Sequence, residues 1–368
     1  MPVKRPSGKM IASIAEKLGL DLSQKDIDSY KELLDGPLAS YNRIEKLPAK
    51  IISPKYPRTG GRRPHENENP LNAWYQKCDI KGAKKGKLPG KTVVVKDNIC
   101  VAGIPMMNGT SLLEGYIPDI DATVVTRVLD AGGTIVGKAV CENLCFSGGS
   151  HTTDTETVLN PNNPEYSSGG SSSGCAALVK NNDVDMAIGG DQGGSVRMPA
   201  SWCGVVGLKP TYGLVPYTGS FPIELTLDHL GPITKDVSDC ATLLDILAGY
   251  DGLDPRQSII KNKSYSSGLE KPLKNFKIGV VEEGFGWPNL SENDVDDCVL
   301  KTLANLESTD IQISQIKIPM HRDGVHIWNA IAIEGANELM MKGNSMGTNW
   351  KGYYNVSLLE KFGTSWRS

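Results

Sequence analysis

Residues 167–211 read SSGGSSSGCAALVKNNDVDMAIGGDQGGSVRMPASWCGVVGLKPT, and the parsing of this stretch decides the fold. Two Gly/Ser knots flank a short helix and a short strand. The first knot, residues 169–174, leads into a helix that starts near Cys175 and runs to Lys180. N–H groups at such a start have no partner within the helix and carry the positive end of its dipole. The second knot, residues 189–195, follows an apolar strand at 184–188. Consecutive glycines let several N–H groups converge on one point, which is what an oxyanion requires.

Outward from there, KTVVVK (91–96) and TIVGK (134–138) are further strands. Residues 122–131 between them fit a crossover helix, capped by Asp121 and stopped by Gly132 and Gly133. Strands are also expected at 276–281 and 311–318, and helices at 239–248 and 292–306. Strands alternating with helices predict an α/β protein, a mixed twisted sheet with helices on both faces. No fixed-period repeat is visible. Upstream, Ile11, Ile14 and Leu18 recur at helical spacing, and residues 22–26 (LSQKD) form an N-cap with an acidic first turn. Ile27, Tyr30, Leu33 and Leu34 mark a second helix, ended by Gly36 and Pro37. Residues 53–87 are polar and rich in Pro and Gly, a linker or wrapped arm outside the core. The expected division is therefore a helical extension with its arm (1–87) and a catalytic domain (88–368).

Composition narrows the function. The 368 residues carry 39 Lys and Arg against 42 Asp and Glu, a net charge of -3. Without a basic surplus, nucleic acid is not an expected partner. No apolar run approaches the roughly 18 residues of a membrane span. Glu16 and Lys17 interrupt the short apolar stretch near the N-terminus, so it is not a secretory signal, and the cytoplasm is the expected address. The eight cysteines fit reduced, mostly buried thiols. Cys141 and Cys145 have C-x3-C spacing, but no second pair follows at zinc spacing, so no metal is expected.

A serine nucleophile needs a group to take its proton. None of the five histidines (His65, His151, His229, His321, His326) lies in the knots. Lys96 ends an apolar strand, where burial favours an uncharged, basic amine. Residues 170–174 formally match the G-x-S-x-G nucleophile elbow, but the preceding NPNNPEY cannot be the hydrophobic strand that the elbow needs. Neither knot is followed by Gly-Lys-Ser or Gly-Lys-Thr, which argues against Walker-type nucleotide binding.

GGSSSG followed by GGDQGGSVRMPASWCGVVGLKPTYGLVPYTG resembles the core of the amidase signature family, as do KTVVVKDNICVAGIPMMNGTS and TIVGKAVCENLCFSG upstream. The resemblance runs from about residue 88 to 257. FPIE (221–224), DHLGP (228–232) and DGLDPRQ (251–257) are most similar to bacterial-type amidases that work beside nitrile hydratase. The resemblance implies Ser195 as nucleophile, Ser171 as a bridging serine preceded by a cis peptide bond, and Lys96 as base. It also implies an oxyanion and substrate site at Gln192, Gly193, Gly194 and Ser195, with Asp191 and Arg197 orienting the loop. The implied reaction is hydrolysis of a small carboxylic amide to acid and ammonia, without a cofactor. Two other readings stay open: an ammonia-donating component like those of tRNA-dependent amidotransferases, and a catalytically silent binding protein. Family chains continue beyond this one, which shows no closing element at 361–368, so a C-terminally incomplete chain is expected. The helical arm at 8–47 could pair across a two-fold axis as a homodimer.

Overall fold

Val93, Val94 and Val95 are consecutive and fully buried, so their strand must be covered on both faces. The computed structural model describes residues 3–47, 53–259, 263–272, 276–306 and 311–341. It divides into two compact units, residues 1–52 and 53–368. The first holds α1 (Gly8–Lys17) and α2 (Gln24–Glu45). Ser23 and Asp26 cap α2 reciprocally, side chain to backbone in both directions, as the LSQKD pattern predicts. Pro37 does not end α2, contrary to expectation; the helix runs on for two more turns. Proline removes one donor, but the carbonyl left over belongs to Leu33, which is 70% exposed and open to water.

The second unit contains β1 (Trp74–Lys81), β2 (Thr92–Lys96), α3 (Thr123–Asp130), β3 (Thr134–Ala139) and α4 (Ser173–Lys180). Next come β4 (Met186–Asp191), α5 (Arg197–Cys203), β5 (Val206–Gly207), β6 (His229–Thr234) and α6 (Val237–Leu247). Last are β7 (Phe276–Val281), α7 (Asn293–Leu306), β8 (Ile311–Ile316) and α8 (Gly324–Ala336). The main sheet has the order β1-β3-β2-β4-β6-β5. It is parallel through β3, β2 and β4 and antiparallel at both flanks. Val93, Val95, Met186 and Ile188 pack with α3 and α6. Val94 and Ala187, on the opposite face, pack with α4. Successive strand residues thus serve different cores, and the sheet is mixed with helices on both faces as predicted.

Four local readings change. Residues 53–87 are not all outside the core: β1 pairs with β3 and buries Trp74, Tyr75 and Ile80, an eight-residue strand hidden between Pro- and Gly-rich flanks. Asp121 does not cap α3, because its carboxylate is held by the Arg58 guanidinium at 2.5 and 2.8 Å. The strand expected at 184–188 lies further along and takes in Gly189, Gly190 and Asp191, paired with β6. β7 and β8 form a separate two-stranded parallel sheet. Residues 361–368 lie outside the described residues.

A buried ion pair sits beside the centre of the sheet. Lys138 is fully buried; its Nζ is 3.2 Å from Asp97 Oδ1 and donates to Ile99 O at 2.5 Å. Asp97 Oδ2 accepts the N–H groups of Met107 and Asn108 at 2.8 and 2.7 Å. Burial pushes the Asp97 carboxyl up, opposed by Lys138 and the two amides. Lys138→Met leaves that carboxylate without its cation, and we expect a loss of about 3–5 kcal/mol in urea unfolding. An unchanged midpoint would show that the pair contributes nothing.

Candidate active site

β2 and β4 run parallel and adjacent, which brings the end of β2 beside the second Gly/Ser knot. Lys96, the last residue of β2, is 1% exposed. Its Nζ lies 2.6 Å from Ser171 Oγ and 3.2 Å from the Gly190 carbonyl. Unlike Lys138, it has no carboxylate within ion-pair distance among the described residues. The Gly170–Ser171 peptide bond is cis, and a side chain on Gly170 would collide with the Gly149 carbonyl oxygen. Ser171 is fully buried and its carbonyl accepts the Glu142 N–H at 3.2 Å.

Ser172 ties the two knots together. Its hydroxyl donates to Gly190 O (3.1 Å) and accepts from Gly190 N–H (3.2 Å), and its own N–H donates to Ser195 O (3.2 Å). Asp191 shapes the second knot: its carboxylate accepts the N–H groups of Gly194, Val196 and Arg197 and a two-pronged contact from the Arg197 guanidinium at 2.9 and 3.0 Å. Burial pushes the Asp191 carboxyl up, but Arg197 and the amides outweigh it and hold it below its usual range. Gly194 sits at φ +129, a conformation that suits glycine.

This arrangement separates the expected oxyanion donors. The Gly194 N–H is already taken by Asp191. Those of Gln192, Gly193 and Ser195 have no acceptor among the described residues, so they are the three that can face a developing negative charge. Ser195 shares a small inner cavity with Lys96, Ser171, Cys145, Tyr217 and Asp228. An outer cavity, open to solvent, is lined by Phe146, Gly148, Gly193, Ser195, Met198 and Trp328. Among the described residues no hydrogen bond joins the Ser195 hydroxyl to Ser171. Neither cavity is lined by a histidine. His229, in β6, is held by Leu227 O and Lys209, and His65, His151, His321 and His326 are exposed.

Asp228, Trp328 and Cys145 were missed as site residues in the sequence. Trp328 comes from α8, far from the knots in sequence, and its indole packs against Gly193 closely enough that a methyl group there would meet it at 2.6 Å. Asp228 stands just before β6, which the Gly231-Pro232 break concealed as a strand. Its Oδ2 accepts the N–H groups of Ile223 and Glu224, yet burial pushes the carboxyl from 3.8 to about 7. Folding therefore retains a proton that the unfolded chain has already released, so this group's contribution to stability falls as pH rises between those two values and levels off above. Asp228→Asn keeps the acceptor and cannot ionise. Its stability relative to the parent protein should rise from about pH 4 to about pH 7. A difference that stays constant over that range in urea titrations would contradict the shift.

Among the described residues, no group of three or more His, Cys, Asp and Glu is placed to hold a metal ion, and no helix is long and apolar enough to cross a membrane. The Amidase family profile matches residues 68–368. The chain is 43% identical over 361 residues to an enantioselective amidase of Rhodococcus rhodochrous, covering 97% of this chain and 69% of that one. A glutamyl-tRNA(Gln) amidotransferase component from Thermotoga maritima superposes with a TM-score of 0.70 at 33% identity, over 80% of this chain and 63% of that one. The peptide amidase of Stenotrophomonas maltophilia superposes at 0.64 with 26% identity, over 76% and 62%. The chain thus spans just over two thirds of the Rhodococcus enzyme and about three fifths of each of the two solved chains.

Proposed function

The chain belongs to the amidase signature family, and from that premise we propose that it is an amidohydrolase cleaving small carboxylic amides to acid and ammonia. The observation that carries this reading is the buried 2.6 Å contact between Lys96 Nζ and Ser171 Oγ in the cavity that also holds Ser195. In its unprotonated form Lys96 takes the Ser171 proton as Ser171 takes that of Ser195. Ser195 Oγ then attacks the amide carbonyl, and the oxyanion is received by the N–H groups of Gln192, Gly193 and Ser195. Collapse of the tetrahedral intermediate breaks the C–N bond while the same relay returns the proton to the departing nitrogen. Water then repeats the sequence on the acyl-serine, releasing acid and free enzyme. The link from Ser171 to Ser195 is the part of the relay that must close when substrate enters.

The test is turnover of a panel of aliphatic and aromatic primary amides, with both enantiomers of one chiral amide included. Release of ammonia from any of them supports the reading; none from the whole panel, with correctly folded protein, overturns it. The amidotransferase-like alternative rests on the likeness to the Thermotoga protein. Residues 221–229 and the helical extension favour an enzyme that acts alone, and an affinity pull-down that recovers no partner protein supports that choice. We also assign a cytoplasmic address and a homodimer formed through α1 and α2, which expose Ile14, Leu33 and Ile44. Light scattering of the intact chain distinguishes dimer from monomer.

A further inference from the structure

Cys141 and Cys145, the C-x3-C pair, have no role in the relay, yet they stand next to it. Their sulfurs are 3.9 Å apart, and Asn108 Oδ1 lies 3.6 Å from the first and 3.1 Å from the second. No other cysteine sulfurs among the described residues are in hydrogen-bond contact with each other. Cys145 lines both the inner cavity, with Lys96, Ser171 and Ser195, and the outer one. The pair lies in the loop after β3, where Leu144 and Cys145 hold φ of +48 and +60. Such left-handed conformations are uncommon for residues with a side chain and collect at functional sites. The loop also holds the bridging serine, because Glu142 N–H, between the two cysteines, donates to Ser171 O.

We propose that Cys141 and Cys145 form a peroxide-sensitive dithiol that closes to a disulfide inside the catalytic cavity and so switches the enzyme off. Hydrogen peroxide is the oxidant. The Cys145 sulfur attacks one peroxide oxygen, the O–O bond breaks, and the departing hydroxide leaves as water once it gains the thiol proton. Cys145 is then a sulfenic acid. The Cys141 sulfur attacks Cys145 Sγ, the S–O bond breaks, and a second water departs with the Cys141 proton. Two thiols and one peroxide thus become one disulfide and two waters. Cys145 is placed to act first, since it faces the cavity. Burial pushes its thiol up, but the Cys141 hydrogen bond and the charge Lys96 carries whenever that amine is protonated more than offset this and hold it below its usual value. Burial and the Cys145 hydrogen bond push the Cys141 thiol well above its usual value, so it is the less nucleophilic of the two and not the first to react. To bond, the sulfurs must close to about 2.05 Å. That movement draws Cys145 off Asn108 and shifts the loop that carries Phe146 and restrains Ser171. The loss of activity rests on the amide-hydrolysis reading, whereas formation of the bond does not.

The experiment exposes the reduced full chain to hydrogen peroxide, removes the oxidant with catalase, and follows amide turnover alongside peptide mass mapping. The expected result is loss of two hydrogens through a Cys141–Cys145 crosslink, with turnover falling in step and both restored by dithiothreitol. In Cys141→Ala, dimedone should trap a sulfenic acid on Cys145, and prolonged exposure should give inactivation that dithiothreitol does not reverse. Two results would overturn the proposal: Cys141 and Cys145 both remaining open to alkylation after denaturation while other cysteines oxidise, or a Cys141–Cys145 crosslink that leaves turnover unchanged. A protein with no turnover before oxidation would count against the assigned function instead, and the mapping would still decide whether the dithiol closes.

Discussion

Ser195→Ala should abolish amide hydrolysis, lowering kcat by about four orders of magnitude or more, because removing a nucleophile ends the covalent route entirely. The fold should survive. Outside its hydroxyl, Ser195 contributes a backbone carbonyl that accepts the Ser172 N–H at 3.2 Å, and alanine keeps it. The Asp191 carboxylate holds the knot through Gly194, Val196 and Arg197, none of which the substitution touches. Circular dichroism and the urea midpoint should therefore match the parent protein while ammonia release disappears. Turnover within tenfold of the parent would assign the nucleophile elsewhere.

Lys96→Ala should lower kcat by about 10²- to 10⁴-fold, the range for loss of a positioned general base. What separates this change from a structural one is its contrast with Lys138. Both amines are buried in the same sheet, but Lys138 balances Asp97 at 3.2 Å whereas Lys96 faces the Ser171 hydroxyl, the Gly190 carbonyl and the Cys145 thiol, and no carboxylate among the described residues. Truncating Lys96 strands no carboxylate, so its main cost should be to turnover; truncating Lys138 should cost stability first. Paired urea titrations and kinetics of the two variants check this. A Lys96→Ala protein that is fully active at neutral pH would remove lysine from the mechanism.

The groups proposed to react stand out in the sequence because their signals are local. Two glycine knots, a strand ending in lysine and a helix start all lie within short windows, and the family resemblance assigned roles to Lys96, Ser171 and Ser195. The commitment of the Gly194 amide to Asp191 was not legible, since it depends on how the loop closes on its own carboxylate. Trp328 and Asp228 reach the cavities from elements distant in sequence, and no period or spacing links them to the knots. β1 was lost because proline and glycine on either side outweighed the pattern of WYQKCDIK itself. Pro37 misled in the opposite direction: its penalty is real, but an exposed helix can leave one carbonyl to water.

The relay itself is probed most directly by the rate at which a fluorophosphonate, which reports serine activation without requiring the right amide, labels the parent protein and Lys96→Ala. We predict a single adduct on Ser195 in the parent and labelling slowed by about 10²-fold or more in the variant. An adduct on another residue, or equal rates in the two proteins, would contradict a serine activated by Lys96 through Ser171.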